Sequence, residues 1–475
     1  MAGRIRDDDL LSAEVLLGIV LGAQHVLTPS RKKRRNPNNH YDREHALTFV
    51  STWSDVLFQR QFRLSRRKHD ELLESLREKV RPRNEHMAIL SSGSTVGLQT
   101  KLLVTLRMLA GASPLDMIWY GIIHKVVDQY VDEILEAMRS CSLLKDIVRF
   151  AQTEEEVQQV RAGWERRQQH SNNVDLLPGL MYAVDGLVIF IGTPTQADVQ
   201  NFGVQNADEF YNRKGGHAIV CQGACDAFAE FAFFSYRHTG NTNDHIAFES
   251  TQLHTLFREG DRRQRNAPGR GPDVPVELRE LYSNLFLVLD EAYSCLGGRH
   301  LTPYSEYQLR KIRDDHGEDA YLAALVFNNR LSSARITIER AFGILMRRWG
   351  IFWKPLAYRL RKCMLIIDVC VRLHNLCIRD WKERRGLDDP LAGLADVPAC
   401  ARLDRSLWLR LGEVGEAPAP KDAVVLNDEP VNARAVQSIV RDNLRDRMRS
   451  LGFRYSADAK AALLPNGRAP QELPA

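Results

Sequence analysis

Three carboxylates stand in sequence settings where an acid could do chemistry. Asp185 interrupts the apolar run 181–190, Asp290 follows the apolar run 285–289, and Glu339 borders the apolar face of a predicted helix. Carboxylates brought close together repel one another unless a cation lies between them, and hard divalent ions prefer such oxygen ligands. With Mg²⁺, or Mn²⁺ as a substitute, a carboxylate cluster can promote in-line displacement at a phosphodiester. The three residues therefore predict the chemistry of nucleases and of DNA strand transfer.

Each acid also has a simpler interpretation. An Asp at the end of a strand commonly caps a turn, which would account for Asp290. Glu339 could pair with Arg335, four residues before it on the same helix face. Asp185 is harder to explain in this way, because a carboxylate inside an apolar strand costs desolvation free energy unless something binds it.

The elements that must position these acids form an α/β pattern. Strands are predicted over 181–190, 217–225, 231–236, 285–289 and 300–302, and helices over 244–257 and 331–349. A three-stranded meander, a helix, a fourth strand and further helices follow the order of a ribonuclease H-like fold with a mixed five-stranded sheet. In that fold the first and fourth strands are parallel neighbours. We therefore expect Asp185 and Asp290 to converge.

An all-α region precedes this pattern. Helical periodicity dominates 46–140, and Ser65 is the expected N-cap of one of its helices. Two short helices around Gly121 fit a helix-turn-helix unit. A helical bundle that makes no DNA contact fits the same pattern equally well, so both interpretations stay open.

The motifs around the acids resemble those of the DDE domain of PIF/Harbinger-type transposases and of the nucleases derived from them. In chain order they are Ala183-Val184-Asp185-Gly186, Phe210-Tyr211-Asn212-Arg213-Lys214-Gly215, Gly240-Asn241-Thr242-Asn243-Asp244, Leu289-Asp290-Glu291-Ala292-Tyr293, Leu301-Thr302-Pro303-Tyr304, Asn328-Asn329-Arg330, Ile338-Glu339-Arg340-Ala341-Phe342-Gly343 and Leu373-His374-Asn375. No single motif is specific, but their order along the chain is. The resemblance spans about 181–378, and residues 58–138 resemble the helical region that precedes this domain in the family.

The resemblance implies that Asp185, Asp290 and Glu339 form a catalytic, metal-binding triad with Mg²⁺, or Mn²⁺ in its place, as cofactor. It implies that Asp244 is a further acid near the metal or the DNA, and that a separate partner protein supplies DNA sequence recognition. The chain departs from the family at Leu187, where Thr is usual, and at Asn241, where Ser is usual. Both glycines that normally surround the second acid are also missing, while every acid is present.

Cations that could contact DNA are concentrated after Glu339. Residues 340–372 contain eight cations and one acid, with aromatic residues among them. The predicted DNA-binding residues are Arg213, Lys214, Arg340, Arg347, Arg348, Lys354, Arg359, Arg361 and Lys362. The alternative is that the cations form solvated faces and the aromatic residues belong to the core.

Four segments are predicted. They are a basic flexible arm (1–44), a helical, helix-turn-helix-like domain (45–176), the DDE ribonuclease H-like nuclease domain (177–385) and a Pro-rich tail with one helix near 433–451 (386–475). The arm carries five consecutive cations at 31–35, which would suit a nuclear localisation signal or a phosphate contact. A tail without such a role fits equally well.

Composition excludes several other classes of protein. Hydrophobic residues make up 44% and charged residues 26% of the chain, which excludes a collagen-like, disulfide-scaffold or wholly disordered protein. No run of 18 apolar residues occurs, so we expect no membrane partner. The net charge of +5 is too small to indicate a nucleic-acid partner, and only the placement of the cations is informative.

These observations lead to a metal-dependent DNA endonuclease or transposase that acts in the nucleus. The alternative is a domesticated, catalytically inactive DNA-binding or protein-interaction module that keeps the transposase fold. The sequence leaves open whether the chain forms a homo-oligomer.

Overall fold

The computed structural model describes residues 43–80, 96–169, 177–258, 275–296 and 298–385, together with Arg441, Asp442 and Arg445. The cationic run 31–35, residues 259–274 and most of the predicted tail helix lie outside the described residues. Arg441, Asp442 and Arg445, which belong to that tail helix, are helical.

The helices alternate with a small number of strands. The helices are α1 (Arg43–Ser51), α2 (Asp55–Phe62), α3 (Arg66–Arg77), α4 (Leu98–Leu109), α5 (His124–Ser140), α6 (Glu154–Gln169), α7 (Gln196–Phe202), α8 (Asp244–Glu249), α9 (Gln252–Phe257), α10 (Val276–Leu281), α11 (Glu306–Arg348) and α12 (Leu360–Arg385). The strands are β1 (Leu180–Phe190), β2 (Tyr211–Asn212), β3 (Gly216–Cys225), β4 (Phe231–Thr239), β5 (Phe286–Val288) and β6 (His300–Leu301). Short 3₁₀ helices occur at Pro114–Tyr120, Ala207–Phe210, Glu291–Tyr293 and Gly350–Trp353.

The chain forms two compact units. Unit 1 comprises Met1–Val148, Phe190–Ala207 and Leu345–Asp380, and unit 2 comprises Arg149–Ile189, Asp208–Ile344 and Trp381–Ala475. These units do not follow the four predicted segments, because unit 1 takes in two pieces of 177–385. The segment boundaries stay a prediction.

Unit 1 is helical, and its helix ends follow from local sequence. Ser65 is the N-cap of α3, as predicted, and its side chain accepts a hydrogen bond from the Lys68 N–H. The 3₁₀ helix Pro114–Tyr120 starts with a capping box between Ser113 and Asp116 and ends at Gly121, whose φ of 70° is in the left-handed region. The predicted pair of helices around Gly121 is therefore present, with the first of them a 3₁₀ helix.

Unit 2 contains a mixed sheet with strand order β2-β3-β1-β5-β6, and β4 pairs with β3. β3 and β4 form an antiparallel hairpin, while β5 is parallel to both β1 and β6. The five predicted strands are all present in this sheet, and the two-residue β2 was not predicted.

A dense core lies on β1 and β5 of unit 2. Met181, Tyr182, Val184 and Leu287 are all at most 1% exposed. The Tyr182 hydroxyl accepts a hydrogen bond from the Ala151 N–H at 3.0 Å, which satisfies a polar group inside this core. The apolar first half of β1 thus fixes the strand that carries Asp185.

Two predicted helices differ from the structure. The helix predicted over 244–257 is interrupted after Glu249. A second helix, α9, starts at Gln252, and its N-cap is Thr251, whose hydroxyl accepts from the His254 N–H. The helix predicted from Leu331 starts much earlier, at Glu306, with a break at Gly317, where φ is 81°. Its polar first half, including Asp314-Asp315-His316, lacks the apolar stripe that marked the second half.

None of the helices in the ranges given above is long and apolar enough to cross a membrane.

Candidate active site

Register places two of the predicted acids side by side. β1 and β5 are parallel, with Ala183 paired with Val288. Asp185 lies two residues beyond that pair inside β1, and Asp290 lies two residues beyond it in extended backbone just after β5, so both continue the same side of the sheet. The convergence predicted for these two acids therefore follows from the sheet itself.

The third acid comes from α11. Ile338 is fully buried and Phe342 is 6% exposed, so this side of the helix packs inward. The Phe342 ring stacks on Phe231 with centroids 5.8 Å apart. A side chain at Gly223 would collide with Phe342, since an added Cβ would come within 2.8 Å of the ring. This packing holds α11 on the β3–β4 hairpin, with Glu339 beside the buried face.

One guanidinium contacts all three acids. Arg335 Nη1 lies 2.7 Å from Glu339 Oε1 and 3.9 Å from Asp185 Oδ2. Its Nε lies 3.9 Å from Asp290 Oδ1. The structure therefore brings Asp185, Asp290 and Glu339 together, and we call these three residues the acid site. It also shows the simpler interpretation of Glu339, its pairing with Arg335.

Asp244 forms the border of the acid site. An added Cβ on Gly186 would lie 2.3 Å from Asp244 Oδ1, so only glycine allows this approach. Gln222 Nε2 donates to the same Asp244 oxygen at 3.4 Å, and the buried Tyr293 hydroxyl donates to Gln222 Oε1 at 2.9 Å. This chain of hydrogen bonds fixes Asp244 next to Asp185.

Sequence reasoning missed the parts played by Gln222, Tyr293 and Gly186. A signal existed for Gly186, because a glycine inside a strand often marks the close approach of another group. Gln222 and Tyr293 carried no such signal, since one polar residue in a strand and one tyrosine after a strand are ordinary.

The acid site contains more negative than positive charge. Burial raises the pKa of Asp185 to about 6, and the nearby Asp290 and Asp244 add to that rise. The Gly186 N–H, which Asp185 accepts at 2.8 Å, and the Arg335 guanidinium act in the opposite direction. Burial also raises the pKa of the Tyr293 hydroxyl, with Asp244 and Asp185 contributing. The site thus concentrates negative charge that one arginine offsets only in part.

The acids are of the right chemistry for a divalent ion, but their present spacing does not fit one. Carboxylate oxygens are the ligands that Mg²⁺ and Mn²⁺ prefer. Among the residues that the structure describes, no three or more His, Cys, Asp or Glu side chains form a group that could hold a metal ion. The Arg335 guanidinium lies among the three carboxylates, which explains why they do not close on a common point.

The predicted DNA-binding cations divide between the units. Arg213 and Lys214 are exposed in the β2–β3 turn of unit 2, where Asn212 holds the turn by donating to the Gly240 carbonyl and accepting from the Lys214 N–H. Arg340, also in unit 2, is partly buried beside Glu339, and burial lowers its pKa. Arg347, Arg348, Lys354, Arg359, Arg361 and Lys362 belong to unit 1.

Several of the unit 1 cations form ion pairs inside that unit. Lys362 lies 3.1 Å from Asp128 and 2.8 Å from Asp132, and Arg361 lies 3.2 Å from Glu136. These three acids recur every four residues and form one stripe along α5. The acids of this stripe therefore form ion pairs with Arg361 and Lys362 of α12. The helix that carries them, α5, is the second helix of the predicted helix-turn-helix.

The remaining unit 1 cations differ in their engagement. Arg359 donates to Thr195 Oγ1 at 2.7 Å and lies 3.8 Å from Asp198. Arg347 and Lys354 are exposed, and neither has an ion pair within the described part of the chain. The DNA-binding assignments stay predictions. The strongest among them are the exposed residues Arg213, Lys214, Arg347 and Lys354.

Comparison with known families identifies the region that carries the acid site. A family model described as DDE superfamily endonuclease matches residues 184–375, which include Asp185, Asp244, Asp290 and Glu339. This match supports a DDE transposase family, and DDE superfamily endonucleases generally use divalent metals and act on DNA. No curated protein and no solved structure matched the chain.

Proposed function

We propose that the protein is a DNA endonuclease or transposase of the PIF/Harbinger type, or a nuclease derived from one, with Asp185, Asp290 and Glu339 as its catalytic acids. The observation that carries the proposal is the convergence of these acids, from β1, from the end of β5 and from α11, inside the span that matches the endonuclease model. The three acids come from separate elements that are far apart in sequence, and the Arg335 guanidinium lies within 4 Å of each of them.

The strand order supports a ribonuclease H-like catalytic domain as part of this proposal. Without the two-residue β2, the order along the sheet is β4-β3-β1-β5-β6, with a hairpin on one side and parallel strands on the other. Mg²⁺, with Mn²⁺ as substitute, is the proposed ion for the acids. Attack by water would give a cut strand, and attack by a 3′-hydroxyl would give a joined one.

The exposed cations Arg213, Lys214, Arg347 and Lys354 are the proposed phosphate contacts. The helix pair around Gly121 is proposed as a helix-turn-helix-like element, with sequence recognition supplied by a separate partner protein. Action in the nucleus completes the proposal, and it depends on the cationic run at 31–35.

A second function is favoured by a specific observation. Arg335 already occupies the space among the acids, as an internal cation would in a protein that no longer binds metal. Leu187 and Asn241 also replace residues that are usual in the family. A domesticated, catalytically inactive DNA-binding or protein-interaction module is therefore the competing proposal.

Plasmid nicking separates the two functions. Supercoiled plasmid is incubated with the purified chain at pH 8, with Mg²⁺, with Mn²⁺ and with neither. The nuclease proposal predicts ion-dependent nicking that Asp290→Ala reduces by about 100-fold or more, because a ligand to the ion is lost. Glu291→Gln, an exposed acid beside Asp290, is the matched control and keeps full activity. DNA binding without ion-dependent nicking, with no effect of Asp290→Ala, would establish the inactive module instead.

A further inference from the structure

Arg335 is the shared partner of acids that come from three different elements. It lies one helical turn before Glu339 on α11 and reaches Asp185 on β1 and Asp290 after β5. In the part of the chain that the structure describes, none of these acids has an ion pair with any other residue. The Arg335 side chain is 22% exposed, so most of it is covered by the surrounding protein.

The charges in this group do not balance. Arginine carries a single positive charge and cannot be deprotonated in a protein, so it offsets one of three carboxylates. Its distances show the same imbalance, because only Glu339 is within hydrogen-bond distance, at 2.7 Å, while Asp185 and Asp290 are each 3.9 Å away. Two negative charges are left over, which is the charge that one divalent ion would supply.

We propose that Arg335 is the resident cation of the acid site in the metal-free protein, and that a divalent ion binds there by displacing its guanidinium. The inference rests on the proposed function, because it takes the three acids to be ligands of that ion. Arg335 is then a positioning residue. It keeps the carboxylates together before the ion arrives, and it competes with the ion for them.

Binding of Mn²⁺ without DNA tests this competition. The signal of free Mn²⁺ in electron paramagnetic resonance gives its dissociation constant at pH 8, above the pKa of about 6 of Asp185. Arg335→Gln should bind Mn²⁺ about tenfold more tightly than the wild type, since an opposing charge a few Å away is removed. Arg335→Lys, which keeps the charge, should bind less tightly than Arg335→Gln. Arg310→Gln is the control, because Arg310 is an exposed arginine that also pairs with a glutamate four residues away on α11. This variant should bind Mn²⁺ as tightly as the wild type.

A second measurement covers the case in which Arg335→Gln does not fold. The side-chain Nε–Hε resonance of Arg335 in the wild type, assigned by its loss in Arg335→Lys, reports directly on the guanidinium. Saturation with Mg²⁺ should shift this resonance and accelerate its exchange with water, because the contacts with the acids are lost.

The results that overturn the inference differ from those that overturn the proposed function. Equal or weaker Mn²⁺ binding by Arg335→Gln, or an Arg335 resonance that Mg²⁺ leaves unchanged, overturns the inference even if the wild type nicks plasmid. If no variant binds Mn²⁺ and the wild type does not nick plasmid, the inference and the nuclease proposal both fail.

Discussion

Two clusters in unit 2 each contain a cation that contacts more than one carboxylate, and they differ in how closely that cation contacts them. In the first, which we call the turn cluster, Lys382 contacts Asp226 and Glu230 at 3.3 and 2.7 Å. In the acid site, Arg335 serves three acids and is within hydrogen-bond distance of only one. The first arrangement is that of a structural ion cluster, and the second leaves negative charge without a partner.

Backbone contacts widen the difference. Asp226 Oδ1 accepts the N–H groups of Phe228 and Glu230, both at 2.9 Å, and the Lys382 ammonium also lies 4.4 Å from the centre of the Phe228 ring. Burial alone would lower the pKa of Lys382, but Asp226 and Glu230 outweigh it and raise that pKa. The three side chains of the turn cluster are 15–18% exposed, whereas Asp290 and Glu339 are 46% exposed. In a cluster that stabilises the fold, the side chains are little exposed and the charges are paired. In a cluster that can take up a ligand, the side chains are more exposed and negative charge is left unpaired.

Removing Lys382 should have the largest effect on stability. Lys382→Ala removes the cation that contacts both Asp226 and Glu230, which should lower the free energy of unfolding by about 3–5 kcal/mol. Urea unfolding at pH 7 measures this. Lys354→Ala, an exposed lysine, is the control and should change it by less than about 0.5 kcal/mol. If Lys382→Ala lowers the free energy of unfolding by less than about 1 kcal/mol, the turn cluster is not a structural ion cluster. The proposed difference between it and the acid site would then be wrong.

Replacing Asp185 should have the next largest effect on stability, and the size of this effect should depend on pH. Its pKa in the folded protein is about 6, against an ordinary value of 3.8, so the unfolded chain gives up this proton more readily. The carboxyl therefore costs stability as pH rises from about 4 to 6, and the cost remains above pH 6. Asp185→Asn should stabilise the metal-free protein by about 2–3 kcal/mol at pH 8 and not at pH 3.5.

Urea midpoints at the two pH values measure this difference. A variant that is less stable than the wild type at pH 8 would mean that Arg335 stabilises the Asp185 carboxylate by more than burial costs. The acid site would then be matched, like the turn cluster.

A methyl group at Gly186 should have a smaller effect on stability, concentrated at the acid site. Gly186→Ala would force its Cβ against Asp244, which should cost about 1–2 kcal/mol and displace that carboxylate. Gly343→Ala, in α11 with nothing within 4 Å of an added Cβ, is the matched control and should stabilise the helix by about 0.5–1 kcal/mol. If both variants behave alike in thermal unfolding, the close approach of Asp244 to Gly186 is not a feature of the protein.

Much of the fold was predictable, because local patterns determined it. The Ser65 cap, the β1 strand and the β3–β4 hairpin depend on neighbouring residues, and each lies where its pattern indicated. The first half of α11 was missed, since a largely polar helix shows no apolar stripe. The parallel pairing of the first and fourth predicted strands, β1 and β5, was predicted from the order of elements along the chain and not from a local pattern.

The acid site was predictable in part. Asp185 stood out as an acid in an apolar strand, and the pairing of Arg335 with Glu339 followed from their four-residue spacing. That the same guanidinium also reaches Asp185 and Asp290 depends on how α11 packs on the sheet, which no local pattern contains. The turn cluster was missed for the same reason, because Lys382 and Asp226 are far apart in sequence.

A crystal structure of the wild-type chain grown with Mn²⁺ at pH 8 tests the central claim most directly. Anomalous scattering at the manganese edge locates the ion without reference to any assumed site. We expect a peak among Asp185, Asp290 and Glu339, with the Arg335 guanidinium turned away from them and the turn cluster unchanged. A map with no peak at these acids, and with Arg335 still between them, would contradict the claim that this site exchanges its own cation for a metal ion.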